Sequence, residues 1–412
     1  MRDVTRREVL KGGLALGAAT VLGTPTLSWG KSEKPIKIGM VDPLTGTYAA
    51  LGGSEVKGAK LALHALNKKG GILGRPVSLL VEDTAANVGT AVQKAHKLVQ
   101  QDKVDLLMGA VSSAVALAVS QAASQMGKVY MVTGGHTDSV TGSRCNWNTF
   151  RICSTTWMLA AGDAKTIADK FGKRWYFLTP DYAFGHTEHE GYSKLLKRMG
   201  GTELGNALAP LGTTDFSSYL IRVEQAKPDV LIVLQAGNDL VNALKQAVQF
   251  GLNKKMAIGG GLQELEVLAA LPEAARFGWW TFEWWWNQPN VPHVKEFVAA
   301  YRKRYGSYPS ARSWFGYAGL HSLALAANRA KSLNGPKVAH ALEGMVLPPE
   351  VALEPHKPFF RKEDHQLMTD EFPGQVNHAG KYPNLFNVAD VIAGDKIALP
   401  ASQTQCKLTF PS

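Results

Sequence analysis

Several short apolar runs in this chain of 412 residues end in loops of small and hydrogen-bonding residues. Leu106-Leu107-Met108-Gly109 leads into Ala110-Val111-Ser112-Ser113, where a helical pattern opens. First-turn N–H groups of a helix lack intrahelical partners and sit at the positive end of its dipole. Two hydroxyls beside them could hold an anion, or Ser112 and Ser113 could serve only as N-caps. Lys128–Thr133 leads into Gly134-Gly135-His136-Thr137. The glycines permit close backbone approach to a ligand. His136 could donate to a carboxylate, or stand as a surface-loop histidine.

Enzymatic patterns are weaker. His186-Thr187-Glu188-His189-Glu190 spaces its histidines three apart. The HExxH zinc motif needs four, so a solvated loop or helix start is favoured over a metal site. Gly259-Gly260-Gly261 does not make GxGxxG, and no GxSxG elbow occurs. A secreted enzyme stays as an alternative, with His136, Asp138 and His186 as its candidate groups. A ligand-sensing module is a third reading. The stretch FGWWTFEWWWNQ (277–288) holds five tryptophans. Aromatic rings supply large buried area, so some are expected in a core and others on a cleft wall.

The elements that position these loops follow a rhythm. IKIGMV (36–41), VSLLVED (77–83), VDLLMG (104–109) and KVYMVT (128–133) read as buried strands. Between them Val56, Ala59, Leu63 and Leu66, then Val92, Ala95, Leu98 and Val99, then Ala116, Val119 and Ala123 recur at helical spacing. The rhythm restarts with RWYFLTPD (174–181), DVLIVLQ (229–235) and KMAIGG (255–260), separated by helices through Tyr192, Leu195, Leu196 and through Val241, Leu244, Val248. Helices are expected again over Val294–Tyr305 and Tyr317–Lys331, and beyond Gly344 the alternation fades. Strand alternating with helix predicts parallel, doubly wound sheets in two α/β lobes. In such sheets ligands sit beyond the carboxyl ends of the strands.

Composition narrows the function classes. The net charge is +11, but Lys94, Lys97, Lys103 and Lys128 are scattered singly. Without a Lys/Arg block this is a solvated basic surface suited to anionic ligands, not a nucleic-acid site. The N-terminus carries Arg6-Arg7, then Val9-Leu10-Lys11 and an apolar stretch from Gly12 to Gly23. That stretch is too short for a spanning helix, which needs about 20 apolar residues. It reads as a signal peptide over 1–30, with cleavage expected after Gly30, and the arginine pair resembles the twin-arginine export signal. The remaining chain of roughly 380 residues exceeds one comfortable core. Cys145, Cys153 and Cys406 form no CxxC, so one disulfide and one free thiol are expected in an oxidising compartment. The candidate pair Cys145–Cys406 would tie down a long C-terminal tail, and Cys145–Cys153 would close a small loop.

These stretches together resemble the branched-chain amino-acid binding protein family, the type I solute-binding receptors of ABC importers. IKIGMVDPLTGTYAALGG (36–53) is similar to the family's opening strand and ligand loop, and 57–83 to its first helix and second strand. LLMGAVSS (106–113) matches its serine loop, PDYAFGHTEHEGY (180–192) and 212–233 resemble its second lobe, and RKEDHQLM (361–368) its last crossover. The resemblance implies two Rossmann-like lobes joined by three crossings that close on ligand. The expected boundaries are 35–153 plus 282–358 for the N-terminal lobe and 154–281 plus 359–378 for the C-terminal lobe, with a tail over 379–412. It implies no catalysis and a receptor that delivers solute to a membrane permease; no cofactor, no metal and a periplasmic monomer are expected, and the arginine pair adds the twin-arginine machinery as a partner.

The resemblance also implies a ligand site. Ser113, with Ser112 beside it, falls where the family sets a hydroxyl on the ligand carboxylate. Gly134 falls at a backbone donor position, and Phe184 at an aromatic wall. His136 stands where amino-acid binders carry Thr. Those binders place an acid after a second-lobe strand to meet the ammonium. Here that region is IGGGLQ (258–263), with no carboxylate until Glu264. A buried ammonium without a counter-charge is costly. The expected ligand is therefore an aromatic or apolar acid without an α-amino group. Tyr48, Trp157, Phe184 and Trp284 would hold its ring, and Gln235, Asn238 and Gln263 its substituents.

Overall fold

Every residue of Ile36–Asp42 except Lys37 is fully enclosed, as a central parallel strand requires. In the computed structural model, which describes residues 34–411, this strand (β1) is one of five in a parallel sheet. The others are β2 (Val77–Asp83), β3 (Leu106–Gly109), β4 (Tyr130–Val132) and β5 (Thr149–Arg151), in the order β2-β1-β3-β4-β5. Helices α1 (Ala49–Lys68), α2 (Val88–Gln100) and α3 (Ser113–Gln125) alternate with them. The signal-peptide reading of 1–30 lies outside the described residues.

The second sheet holds β6 (Arg174–Pro180), β7 (Thr202–Ala209), β8 (Val230–Val233), β9 (Ala257–Leu262), β10 (Trp279–Phe282), β11 (Phe372–Val376) and β12 (Phe386–Val388). Its order is β12-β11-β10-β9-β8-β6-β7, parallel except for β11 and β12. Helices α4 (Thr156–Phe171), α5 (Ala183–Arg198), α6 (Ser217–Ala226), α7 (Gly237–Gln249) and α8 (Leu265–Ala270) belong to this lobe. The segment β7-β6-β8-β9-β10 repeats the first sheet's order, so each lobe has one switch point at the carboxyl edge of its first strand.

The chain returns to the first lobe through α9 (Val294–Tyr305), α10 (Ala311–Ala330), α11 (Gly335–Leu342) and α12 (Pro349–Ala352). Their apolar residues join the core that contains Ile38, Met108 and Met131. Phe360 and Leu367 lie in that same core, so the return to the second lobe comes later than residue 358. The three crossings run over 152–155, 283–293 and 353–371. The stretch expected as a tail supplies β12 and α13 (Gly394–Ile397), which packs on α4. Beyond it, Cys406 is joined to Cys145, and Phe410 packs on Trp147 and His340 of the first lobe.

Helix α10 starts six residues before the expected Tyr317, because Ser310 and Ser313 form a reciprocal capping box. Its early turns press on α1. A Cβ at Gly58 would lie 1.7 Å from the Ser313 carbonyl oxygen, and one at Gly316 would lie 1.9 Å from that of Glu55. Two glycines thus let the helix backbones touch, and this brings Glu55 of α1 beside Arg312 of α10.

Candidate functional site

The carboxyl edges of both sheets face each other across a cleft. From the first lobe come Tyr48 before α1, Val111 after β3, His136 after β4, and Arg312 in the first turn of α10. From the second lobe come Tyr182 and Phe184 after β6, Ala236 after β8, and Leu262 at the end of β9. Together they line a residual cavity of about 10 Å³. Its walls are mainly apolar and aromatic, and Leu51 and Leu159 back them. The Tyr48 and Tyr182 hydroxyl oxygens lie 2.5 Å apart across the cleft.

Arg312 is the centre of charge. Its side chain is 2% exposed. Nε donates to Glu264 Oε1 at 2.5 Å, and Nη1 donates to Glu55 Oε1 at 3.0 Å and to the Gly134 carbonyl at 3.3 Å. None of these bonds uses Nη2. Burial alone would lower the guanidinium's affinity for its proton, but Glu264, Glu55 and Glu283 outweigh it and keep Arg312 charged. Burial raises the Glu264 carboxyl to about 7 against the pull of Arg312. Glu55 is also raised by burial, with Arg312 and the Thr133 hydroxyl opposing. Asp42 beside it is raised further, by burial and then by the Glu55 charge.

His136 Nε2 lies 2.7 Å from Glu283 Oε2, and Glu283 Oε1 accepts the Ser154 N–H at 2.7 Å. Burial lowers the His136 pKa despite that carboxylate. Burial would raise Glu283, but pairing with His136 brings it below its ordinary value. The His136 ring packs edge-on to Phe184 and Phe315, with centroids 5.9 and 6.3 Å away. Arg151 Nη1 donates to the carbonyls of Gly135, His136 and Thr137 at 3.1, 2.9 and 2.6 Å and so fixes this loop.

This arrangement can bind, and among the described residues lining it no nucleophile is paired with a base. A family model for periplasmic binding proteins matches residues 35–381. The chain belongs to this family. A Leu/Ile/Val-binding protein homolog 7 of Brucella suis is 28% identical over 326 residues, covering 75% of this chain and 81% of the relative. A periplasmic binding protein from Burkholderia mallei, solved as a crystal structure, is 28% identical with a TM-score of 0.84, covering 90% of this chain and 98% of its own. A solute-binding protein of an ABC transporter from Rhodopseudomonas palustris, solved with 3,4-dihydroxy benzoic acid, is 24% identical with a TM-score of 0.78, over 87% of this chain and 96% of its own. The protein is thus an extracytoplasmic solute-binding protein and not an enzyme. No helix of the described residues is long and apolar enough to cross a membrane.

The periplasmic binding protein's cleft gathers some of the expected residues and leaves others out. Tyr48, His136 and Phe184 line the cavity. Ser112 is buried beside it, makes no side-chain cap on α3, and its hydroxyl has no partner among the described residues. The Ser113 hydroxyl accepts the Thr137 N–H at 3.1 Å. Gly134 is present but not as a donor: its N–H is spent on the Ala110 carbonyl at 3.1 Å. Its lack of a side chain matters instead, since a Cβ would stand 2.1 Å from Arg312 Nη1.

Trp284 lies in the first-lobe core, where it donates to the Leu353 carbonyl at 2.8 Å and packs edge-on to Phe297. Trp157 donates to the Ile397 carbonyl and lines a separate cavity of about 270 Å³ beneath the C-terminal segment. Gln235 and Gln263 are buried, with Gln235 Oε1 and Gln263 Nε2 unpartnered. Asn238 is exposed, and its backbone N–H donates to the Thr47 carbonyl across the cleft at 3.2 Å. His186 and His189 turn to separate acids, Asp181 and Glu203. The second lobe does present a cleft carboxylate, because Glu264 follows β9 directly and reaches Arg312. Sequence reasoning missed Arg312, Glu55 and Glu283. For Glu283 the available signal was a lone charge inside an aromatic run, TFEWWW, whereas Glu55 in GSEVKG and Arg312 in SARSW carry no such mark.

Proposed function

We propose that this binding protein captures a small aromatic or apolar organic acid that lacks an α-amino group, and hands it to the permease of an ABC importer. Arg312 carries the reading. It places a permanent cation on the wall of an otherwise apolar, aromatic cleft, where a carboxylate gains most from a charge-assisted hydrogen bond. The unpartnered Ser112 hydroxyl supplies a second donor at the head of α3. Tyr48, Phe184, Val111 and Leu262 offer flat and aliphatic surface to a ring. The cleft acids are already committed, Glu264 and Glu55 to Arg312 and Glu283 to His136. An ammonium would have to share Glu264 with Arg312, through the Oε2 that has no partner among the described residues. The Arg6-Arg7 pair supports export of the chain as a folded monomer, and its replacement by lysines would retain the protein in the cytoplasm.

Glu264 supports a second reading, an α-amino acid whose ammonium meets Glu264 while its carboxylate meets Arg312. A thermal-shift screen separates the two. Stabilisation by benzoate-type acids, and none by leucine, isoleucine or valine, is the expected result. Stabilisation by the branched-chain amino acids alone would overturn it.

A further inference from the structure

Three side chains at the floor of the cleft converge without serving the solute reading as a group. His136 comes from the loop after β4, Cys153 from the first crossing and Glu283 from the start of the second. One nitrogen, one sulfur and one carboxylate oxygen from these residues all lie within 4.8 Å of one another. Their exposures are 2%, 0% and 0%. Cys153 is also the cysteine left free when Cys145 and Cys406 pair.

We propose that His136, Cys153 and Glu283 form a binding site for one borderline divalent transition-metal cation of the zinc type. Imidazole, thiolate and carboxylate are the donors such an ion takes, and three protein ligands leave one tetrahedral position open. The charges balance: a divalent cation, one thiolate and one carboxylate sum to zero beside a neutral imidazole. Loading releases the single thiol proton to solvent, while the imidazole keeps its hydrogen on the nitrogen that does not bind the ion. The donors are already aimed. Glu283 is held through its other oxygen by the Ser154 N–H, and the His136 loop is held through its carbonyls by Arg151. Such supporting bonds orient ligands in metal sites. Entry is through the cleft, because His136 lines it. The site ties the first lobe to two of the three crossings, so the ion would stiffen the hinge. It also gives a folded-state export route a purpose, since a chain loaded before export would cross with its ion enclosed.

The test uses the full chain, purified without reductant, stripped of metal and titrated with Co²⁺. One equivalent should bind, with a thiolate-to-cobalt charge-transfer absorption. Cys153→Ala should abolish that absorption, and Glu283→Gln should weaken Co²⁺ binding at least tenfold. Cys153→Ala removes only a buried sulfur, and an unshifted metal-free melting curve certifies its fold. If that curve does shift, the charge-transfer absorption of the unaltered chain decides alone. Absence of the charge-transfer absorption in the unaltered protein, or its persistence in Cys153→Ala, would overturn the proposal. Solute binding is measured separately on the metal-free protein, so failure of one reading leaves the other standing.

Discussion

The two lobes share a strand order, but the acids around Arg312 and those beneath the second lobe's sheet are held in different ways. In the first lobe Glu55 is bonded to Arg312 and Thr133, and the cation is satisfied on two sides. Asp163 and Glu188 of the second lobe, and Glu371 at the end of the third crossing, are enclosed, and among the described residues no cation figures in the causes of their shifts. Asp163 accepts the Tyr192 hydroxyl at 2.5 Å, Glu371 accepts the Ser154 hydroxyl, and one oxygen of each stays unpartnered. Neither Glu188 oxygen has a partner in hydrogen-bond geometry. Burial raises all three well above the carboxylate range. A carboxylate taken from water must be paired or protonated. Glu55 of the first lobe and Glu264 of the second share Arg312, whereas burial pushes Asp163, Glu188 and Glu371, like Asp42 of the first lobe, toward the protonated form. A site for an anion belongs with the paired acids, where a fixed cation exists.

Breaking the pairing should have the largest effect. Arg312→Ala leaves Glu55 and Glu264 buried without their cation, which costs about 3–5 kcal/mol. Urea denaturation would read this, and a loss under about 1 kcal/mol would mean that Glu55 and Glu264 are not held by charge. The same variant should lose solute stabilisation, while Arg312→Lys should recover more of the fold than of the binding.

Second in size is the link between the lobes. Cys406→Ser opens a disulfide of sequence separation 261 and should cost about 2–4 kcal/mol in denaturant titrations.

Smaller again is a pH effect. Glu264 has a folded pKa of about 7 against an ordinary 4.5. The folded state therefore keeps a proton that the unfolded chain releases, and stability is lost as pH rises from 4.5 through 7. Glu264→Gln should flatten that part of the melting-temperature profile, by about 3 kcal/mol. An unchanged slope would place the charge elsewhere.

The smallest effect sharpens the contrast. Glu188→Gln exchanges a protonated acid for a near-isosteric amide and should alter stability at neutral pH by less than about 1 kcal/mol. A larger loss would show Glu188 to be ionised.

Much of the fold was legible because central parallel strands are continuous apolar runs. β1, β3, β6 and β8 read directly from that signal. β7 did not, since as an edge strand it leaves Thr202, Glu203 and Leu208 exposed and breaks the pattern. β5 and β12 are three residues each, too short to carry a period. The cleft's position was legible where loop chemistry announces itself, since Ser112 and His136 lie at it. It was illegible where function comes from packing. Arg312 meets Glu55 across 257 residues and Glu264 across 48, and His136 meets Glu283 across 147. No local spacing encodes such meetings; the Gly58–Gly316 contact that makes one of them appears only when helices α1 and α10 are docked. Trp284 failed in the opposite sense, since an aromatic ring fills a core as readily as it walls a cleft.

The Cys145–Cys406 bond has a topological consequence. It closes a covalent ring that contains the whole second lobe and all three crossings, leaving only the first four strands, their helices and a few terminal residues outside. A single cut by a protease anywhere within that ring cannot separate the pieces. The nicked protein would keep its full mass on a non-reducing gel and fall into two fragments only when the disulfide is reduced.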